Sequence, residues 1–206
     1  MTTSTKEALW LSCKDKTCCS FYAVFPTGLD IWRIATTLRV PPWAFTTLVP
    51  AEEGAPDGLV LGRSGQHFRV ALAKVPAKGK KLSPCVFLMR LTDGTARCGL
   101  GELRPSPCHS FPSLLIDSVL CLMNDGGCTC RKWSLSEMDI GEETAVVMAE
   151  KHAREVYYEV VANWNEYVRQ ATRDESFSYR DFCRYLLDIY TTFDSRPKEL
   201  AHDERD

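Results

Sequence analysis

TGLDIWRIATTLRVPP, residues 27–42, is the stretch that decides how this 206-residue chain begins to fold. Thr27 and Asp30 form a capping box, in which each side chain satisfies a backbone N–H at the start of a helix. Apolar residues then recur at helical spacing, at Ile31, Ile34, Ala35 and Leu38. Pro41 and Pro42 end the pattern. The stretch therefore predicts an amphipathic helix with one apolar face to bury.

Two β-hairpins are predicted downstream of this helix. In GLVLGRSGQHFRVALAKV, residues 58–75, Ser64-Gly65 is the expected turn. The second arm alternates, with one face formed by Phe68, Val70 and Leu72. In PCVFLMRLTDGTARCGL, residues 84–100, Asp93-Gly94 is a strong turn signal.

The segments around these hairpins carry weaker signals. A short second helix is expected over residues 43–48, and residues 51–58 predict an exposed loop. ELRPSPCHSFPS, residues 102–113, is too rich in proline for regular structure and predicts a rigid loop. The apolar run 114–123 fits either a helix or a strand, and residues 124–130 predict a turn.

The C-terminal third is predicted to be helical. Ser134 and Glu137 form a candidate capping box. From Glu142 onward, apolar and aromatic residues recur at helical spacing: Val146, Ala149, Ala153, Val156, Tyr157, Val160, Trp164 and Tyr167. A final helix begins near Ser178, with one face formed by Phe182, Cys183, Leu186, Leu187 and Tyr190.

These elements predict a single α+β domain, made of an N-terminal helix, short β-hairpins, cysteine-bearing loops and a C-terminal helical pair. It covers residues 10–195, between an N-terminal tail at 1–9 and a polar tail at 196–206. The composition, 45% apolar and 25% charged, is typical of a soluble globular protein. The net charge of -2 gives no general nucleic-acid surface.

We expect a cytoplasmic protein. No apolar run approaches the roughly 20 residues of a membrane helix, and the first residues do not form a secretory signal. Thiols in the cytosol stay reduced, so cysteines that cluster there point first to metal binding and not to disulfides.

Ten cysteines are present, and they are unevenly placed. Cys183 lies on the apolar face of a helix and Cys121 lies in an apolar run, so both are expected to pack as small hydrophobes. The other eight lie in loops or at strand ends, where metal ligands are usually presented. The candidate ligands are therefore Cys13, Cys18, Cys19, Cys85, Cys98, Cys108, Cys128 and Cys130.

The surroundings of these cysteines leave several questions open. Cys85 and Cys98 lie on opposite arms of the second hairpin, which would bring their side chains close together. Cys18 and Cys19 are adjacent, and we slightly favour one as a ligand and the other as a packing residue. Five cations lie near the cysteines and would favour thiolates, although each is individually best interpreted as a surface residue: Lys14, Lys16, Arg97, Arg104 and Arg131.

The spacing matches neither a zinc ribbon, nor a zinc finger, nor the ferredoxin run. Thiolate ligands favour zinc, iron or an iron–sulfur cluster over magnesium or calcium, and the sequence does not choose between zinc and iron. The four histidines are left outside the site because lone histidines are usually structural or exposed: His67, His109, His152 and His202.

In their order along the chain, these groups resemble the YkgJ-type cysteine-cluster family, described as zinc- or iron-chelating domains. The pattern is a cluster ending CysCys, an Asp-Ile-x-Arg-Ile helix, CxFL, a further cysteine, RPxxC, FP and a late glycine-cysteine element. The matching residues are Cys13, Cys18 and Cys19; Asp30, Ile31, Arg33 and Ile34; Cys85, Phe87 and Leu88; Cys98; Arg104, Pro105 and Cys108; Phe111 and Pro112; and Gly127-Cys128.

The resemblance spans roughly residues 10–170. It implies a cytoplasmic bacterial protein that binds zinc, iron or an iron–sulfur cluster through these cysteines. Two positions depart from the family pattern: Lys16 stands where a further cysteine is common, and His109 stands where arginine usually follows the RPxxC cysteine.

Three functions follow from this reading. The first is a metal-binding protein with a structural, metal-handling or accessory redox role, and no enzymatic activity is required of it. The second is a protein-lysine N-methyltransferase, since a flagellin lysine N-methylase is related to the same family. The third is a thiol redox sensor without metal, in which a pair such as Cys85 and Cys98 closes on oxidation.

Overall fold

The computed structural model describes residues 5–62, 65–76, 82–124, 128, 132–171 and 176–195. About 48% of the described residues are helical, with 3-10 turns included, and 17% are strand, which confirms the predicted single-domain α+β fold. The helices are α1 (Thr5–Ser12), α2 (Cys18–Phe21), α3 (Gly28–Leu38), α4 (Ser106–Ser110), α5 (Ile140–Gln170) and α6 (Tyr179–Asp194). None of these described helices is long and apolar enough to cross a membrane.

The strands form small antiparallel sheets. They are β1 (Thr46–Pro50), β2 (Leu59–Val60), β3 (His67–Leu72), β4 (Leu88–Arg90), β5 (Ala96–Cys98), β6 (Ser113–Ile116) and β7 (Val119–Leu122). The described strands pair in the order β1-β3-β2, with two separate hairpins, β4-β5 and β6-β7.

Helix α3 begins with the predicted capping box. Thr27 Oγ1 accepts from the backbone amide of Asp30 at 3.2 Å, and Asp30 Oδ2 accepts from the amide of Thr27 at 2.9 Å. The helix ends at Arg39, whose left-handed φ of 54° reverses the chain ahead of Pro41. The predicted helix and its capping box are therefore confirmed, but Leu38 of the predicted apolar face is exposed.

The apolar face of α3 packs against α5 and α6 and forms the centre of the core. Ile34 is fully buried, and Trp164 on α5 and Phe182 on α6 are each 1% exposed. Burying each such side chain contributes roughly 1.5–3 kcal/mol. The long C-terminal helices therefore stabilise the helix that the N-terminal half provides.

Helix α5 also holds the edge of the larger sheet. Trp164 Nε1 donates to the carbonyl of Val60 at 2.8 Å, and Asn165 Oδ1 accepts from the amide of Val60 at 2.8 Å. Strand β2 pairs with β3 as the first predicted hairpin requires, with Leu59 opposite Phe68. Ser64 of the predicted turn lies outside the described residues.

The helix predicted over residues 43–48 is wrong. A 3-10 turn covers Pro42–Ala44, and residues 46–50 form strand β1. The segment is β-branched at Thr46, Thr47 and Val49, and pairing with β3 satisfies backbone groups that a six-residue helix would leave unpaired.

The second predicted hairpin is confirmed, with Leu88 opposite Cys98. At its turn Gly94 has a φ of 82°, a conformation that glycine adopts without strain. Asp93 Oδ1 accepts from the amide of Thr95 at 2.9 Å, which closes the turn.

The proline-rich segment 102–113 was predicted to be an irregular loop, and this prediction is wrong. The segment contains α4, preceded by a 3-10 turn at Gly101–Leu103. Pro105 is the N-cap of α4 and Pro107 lies in its first turn. Proline is tolerated there because the first amides of a helix have no intrahelical partner. The following apolar run forms the hairpin β6-β7.

The C-terminal helices differ from prediction at their start. Asp139, not Ser134, is the N-cap of α5, while Ser134 caps a separate 3-10 turn at Leu135–Glu137. Ser178 and Asp181 form a capping box at the start of α6, as that helix was predicted to begin. The predicted apolar face of α5 is buried only in part, because Val146, Ala149, Ala153 and Tyr167 are not in the core.

Candidate functional site

Lys16 organises the loop that joins α1 to α2. Its ammonium is buried and donates to the carbonyls of Trp10 and Cys13. Burial, followed by repulsion from Arg97, lowers the pKa of Lys16. A left-handed φ of 49° at Lys16 turns the chain into α2. The interpretation of Lys16 as a surface lysine is therefore wrong.

Arg104 is a second buried cation, only 6% exposed, and its interpretation as a surface residue is also wrong. Its guanidinium carbon lies 3.9 Å from the centre of the Trp10 ring, and the Lys16 ammonium lies 4.3 Å from the same ring. Trp10 thus positions two cations beside the cysteines of α2 and α4. Nothing in the sequence marks Trp10 for this role, because it depends on tertiary packing.

The loop around Lys16 is attached to the second hairpin. The amide of Ala96 donates to the carbonyl of Lys14 at 2.7 Å, and Arg97 Nη1 donates to the carbonyl of Leu11 at 2.8 Å. Two backbone carbonyls of the N-terminal segment therefore accept hydrogen bonds from residues of strand β5. This attachment brings the first cysteine group next to Cys98, which ends β5.

Cys18 and Cys19 occupy the first turn of α2. A hydrogen bond from the Cys19 thiol lowers the pKa of Cys18 to about 7, and the charge of Lys16 acts in the same direction. The same hydrogen bond, together with burial, raises the pKa of Cys19. The two neighbours therefore interact through their side chains, and a helical turn makes this possible where a strand would not.

Cys85 is joined directly to this turn. Its amide donates to the carbonyl of Cys19 at 2.8 Å, and it forms an isolated β-bridge with Lys74. Burial raises the pKa of Cys85 and of Cys98, and Cys98 also adds to the rise at Cys85. This effect of Cys98 on the pKa of Cys85 is consistent with the predicted approach of the two cysteines, which stays a prediction.

Cys108 comes from a fourth segment, helix α4. Burial is the main reason that its pKa lies well above the ordinary thiol value, and the charges of Cys98, Cys85 and Cys18 raise it further. The position of α4 is set by Asp30, whose Oδ1 accepts from the amide of Ser106 at 2.9 Å. Helix α3 therefore positions the cysteine of α4.

Five cysteines from four segments interact electrostatically with one another: Cys18, Cys19, Cys85, Cys98 and Cys108. We refer to these five as the thiol cluster. All five are free and half-buried. In this arrangement each thiolate raises the pKa of its neighbours, so a metal cation would relieve repulsion among them.

The other cysteines do not join the thiol cluster in the described structure. Cys13 is disulfide-bonded and 6% exposed, so in this state its sulfur is not a thiolate. Cys128 is a free, half-buried thiol, and Cys130 lies outside the described residues. Cys183 is buried in the core as predicted, and Cys121 is half-buried on β7.

His109 lies beside the cluster without belonging to it. Its Nδ1 is 3.5 Å from Arg104 Nη2. It lines a polar cavity of about 100 Å³ together with Lys6 and Glu143, which form a buried salt bridge at 2.7 Å.

A larger cavity of about 190 Å³ borders the thiol cluster. Four cluster members contribute to its wall, namely Cys18, Cys19, Cys98 and Cys108. The rest of the wall is mainly aromatic and aliphatic, with two arginines. Small molecules that enter this cavity would therefore contact the thiols.

Across the described residues, no group of three or more His, Cys, Asp or Glu side chains is arranged to hold a metal ion. Comparisons with protein-family models, with curated proteins and with solved structures found no match for this chain.

Proposed function

We propose that this chain binds zinc, iron or an iron–sulfur cluster through thiolates of the thiol cluster. The observation that carries this proposal is the convergence of five free cysteines from four separate segments: four line one cavity, and the amide of the fifth, Cys85, donates to the carbonyl of Cys19 at 2.8 Å. Four sulfur ligands are the usual number for structural zinc and for a [4Fe–4S] cluster, so the cluster offers one more than is required.

The chemistry of the donors supports the proposal. Sulfur donors select zinc, copper(I) and iron–sulfur clusters over magnesium or calcium. Burial raises the pKa of Cys85, Cys98 and Cys108, so these groups are protonated before a metal binds. Metal binding would release those protons.

The buried cations support it as well. Four thiolates on a divalent ion carry a net charge of about -2, which is unfavourable in a poorly solvated site. The charges of Lys16 and Arg104 lie within range of the thiols and offset that charge. Lys16 therefore acts in this proposal as a counter-cation to the site, while standing where the resembling family has a cysteine.

The sequence resemblance to the YkgJ-type family supports the same proposal, because its matching positions include all five cysteines of the thiol cluster. Cys13, Cys128 and Cys130 remain predicted ligands outside the thiol cluster. The role of the metal, whether structural, metal-handling or accessory redox, and a cytoplasmic bacterial location stay predictions, as does the lysine methyltransferase alternative.

One observation favours a second function, a thiol redox sensor. Cys13 is disulfide-bonded, and the pKa of Cys18 is lowered to about 7 beside other thiols. Hydrogen peroxide would convert the Cys18 thiolate to a sulfenic acid with release of hydroxide. Attack by the thiol of a cluster neighbour would then form a disulfide and release water.

Anaerobic purification followed by metal analysis and a visible spectrum tests the proposal. We expect stoichiometric zinc in a colourless protein, or iron with sulfide in a brown one. Cys108→Ser should lose the metal, and Cys121→Ser, a matched change on β7, should retain it. A folded, metal-free protein whose thiols close into disulfides with peroxide would overturn metal binding in favour of the redox sensor.

A further inference from the structure

The cavity beside the thiol cluster has the size and lining of a small-molecule site. Its volume of about 190 Å³ somewhat exceeds the ~150 Å³ that accommodates benzene in an engineered protein cavity. Most of the wall that a ligand could touch is apolar, and its side chains include Trp10, Tyr22, Val24, Phe25, Phe111 and Met123. A lining of this size and kind fits a single aromatic ring.

The aromatic part of this wall is held in place by contacts among its own residues and their neighbours. The rings of Tyr22 and Phe111 contact each other, with centroids 5.6 Å apart. The Phe25 ring lies 3.9 Å from the guanidinium carbon of Arg69. Side chains that are already held lose little conformational freedom when a ligand binds, so the site is largely pre-formed.

The two arginines of the wall already have partners. Arg154 forms an ion pair with Glu150 at 2.6 Å. The guanidinium of Arg104 lies over the Trp10 ring, and its charge acts on the thiols of the same wall. An ionised ligand would therefore lose its hydration in the cavity without gaining a counter-charge of its own.

The wall also repels ligands of either charge. A cation would meet the two arginines, and an anion would meet thiolates of the thiol cluster whenever these are ionised. A neutral molecule avoids both kinds of repulsion and needs no counter-charge. The charges of the wall therefore select against ions, and its rings select for an aromatic molecule.

We propose that this cavity binds a small neutral aromatic molecule, with its ring against the aromatic wall and one side towards the thiol cluster. Four cluster cysteines contribute to the wall, so a bound ring would cover part of the cluster and exclude water from it. That the same ring also shields a bound metal rests on the function proposed above.

Toluene is the probe, and benzoate and benzylamine carry the same ring with a negative and a positive charge. Binding is measured by ligand-observed NMR on the anaerobically purified protein, both as isolated and after treatment with a chelator. Ala23 lines the cavity and is exposed, so Ala23→Phe should narrow it without removing a cysteine. Ala149→Phe, the same change at an exposed position of α5, is the matched control.

We expect toluene at millimolar concentration to bind the parent protein and the Ala149→Phe variant equally. Ala23→Phe should weaken toluene binding by about tenfold or more, and the parent should bind each charged probe about tenfold more weakly than toluene or worse. Circular dichroism establishes that each variant is folded. If Ala23→Phe does not fold, Tyr22→Leu, which removes one ring of the wall, takes its place with an expected weakening of about threefold.

Absence of toluene binding, equal binding by the folded wall variant, or binding of benzoate or benzylamine as tight as that of toluene would each overturn the proposed site. Metal content is measured on the same samples, so failure of the metal proposal is recorded separately, and the ring needs no metal to bind. Where metal is present, toluene should slow its release to a chelator. An unchanged release rate with toluene bound refutes the shielding of the metal alone.

Discussion

Asp30 accepts two hydrogen bonds from Ser106, one from its backbone amide at 2.9 Å and one from its hydroxyl at 2.8 Å. The other carboxylate oxygen accepts from the amide and the hydroxyl of Thr27, each at 2.9 Å. One buried carboxylate, 2% exposed, therefore fixes the starts of both α3 and α4. The capping residue of the central helix is at the same time the residue that positions Cys108.

Asp30→Asn tests this relationship. The amide nitrogen of asparagine cannot accept, so donors of Thr27 or Ser106 are left unpaired in a buried place, and we expect a loss of about 2 kcal/mol of unfolding free energy. Asp181→Asn, in the exposed capping box of α6, is the control and should lose less than about 1 kcal/mol. Urea unfolding measures both, and equal losses would argue against a special role of Asp30.

Gly28→Ala should destabilise the protein through steric overlap. A Cβ at this position would lie 2.5 Å from Tyr190 Cε2, so the tyrosine ring must move in a packed core. We expect a loss of about 1–3 kcal/mol of unfolding free energy, as is usual for overpacking. Gly141→Ala in the first turn of α5 brings a Cβ only against Asp139 Oδ1, at 3.2 Å on an exposed side chain, and should cost less than about 1 kcal/mol. A Gly28→Ala variant as stable as the parent would contradict the packing.

Alkylation of the protein after metal removal should begin at Cys18. A hydrogen bond from Cys19 lowers the pKa of Cys18 to about 7, whereas burial raises that of Cys98. We expect the rate at which iodoacetamide modifies Cys18 to reach half its maximum near pH 7. Peptide mass spectrometry measures this rate. Cys19→Ala, which removes this donor, should keep Cys18 reactive but shift its profile to higher pH. A parent profile centred near pH 9 would refute the assignment.

Stability without metal should fall as the pH rises past about 9. The ordinary thiol pKa is 9.0, and burial raises the pKa of Cys85, Cys98 and Cys108 in the folded protein. A raised pKa in the folded protein means that, as the pH rises, the unfolded chain releases its proton first. The contribution of such a thiol to the free energy of unfolding is therefore complete below the pKa of the unfolded chain and is lost as the pH rises towards the pKa of the folded protein. The buried tyrosines act in the same direction. Urea midpoints measured between pH 8 and 10.5 check this, and a midpoint that rises over this range would contradict it.

The sequence was most informative where structure is local. The capping box at Thr27, the start of α6 near Ser178 and the Asp93-Gly94 turn depend on a few neighbouring residues, so they were predicted from those residues alone. Strand β1 was wrongly expected to be helical because its conformation depends on pairing with β3, a distant segment. Helix α4 was missed because its proline content argues against a helix interior but is compatible with a first turn.

The candidate site shows the same division. Its cysteines could be chosen from their loop positions, but their convergence depends on how the N-terminal segment attaches to β5 and how Asp30 holds α4. Burial of Lys16 and Arg104 was missed because a basic residue in a loop is most often exposed, and only the stacking on Trp10 distinguishes these two.

The thiol cluster draws its members from residue 18 to residue 108, through four segments of which the first lies far from the other three along the chain. An ion bound to all four segments would act as a staple that also constrains the unfolded chain. A single cross-link closing a loop of ~100 residues restricts the unfolded ensemble by about 4.7 kcal/mol in the chain-entropy view. On the proposed function, losing the ion would therefore remove this restriction from all four segments at once, and not merely empty one pocket.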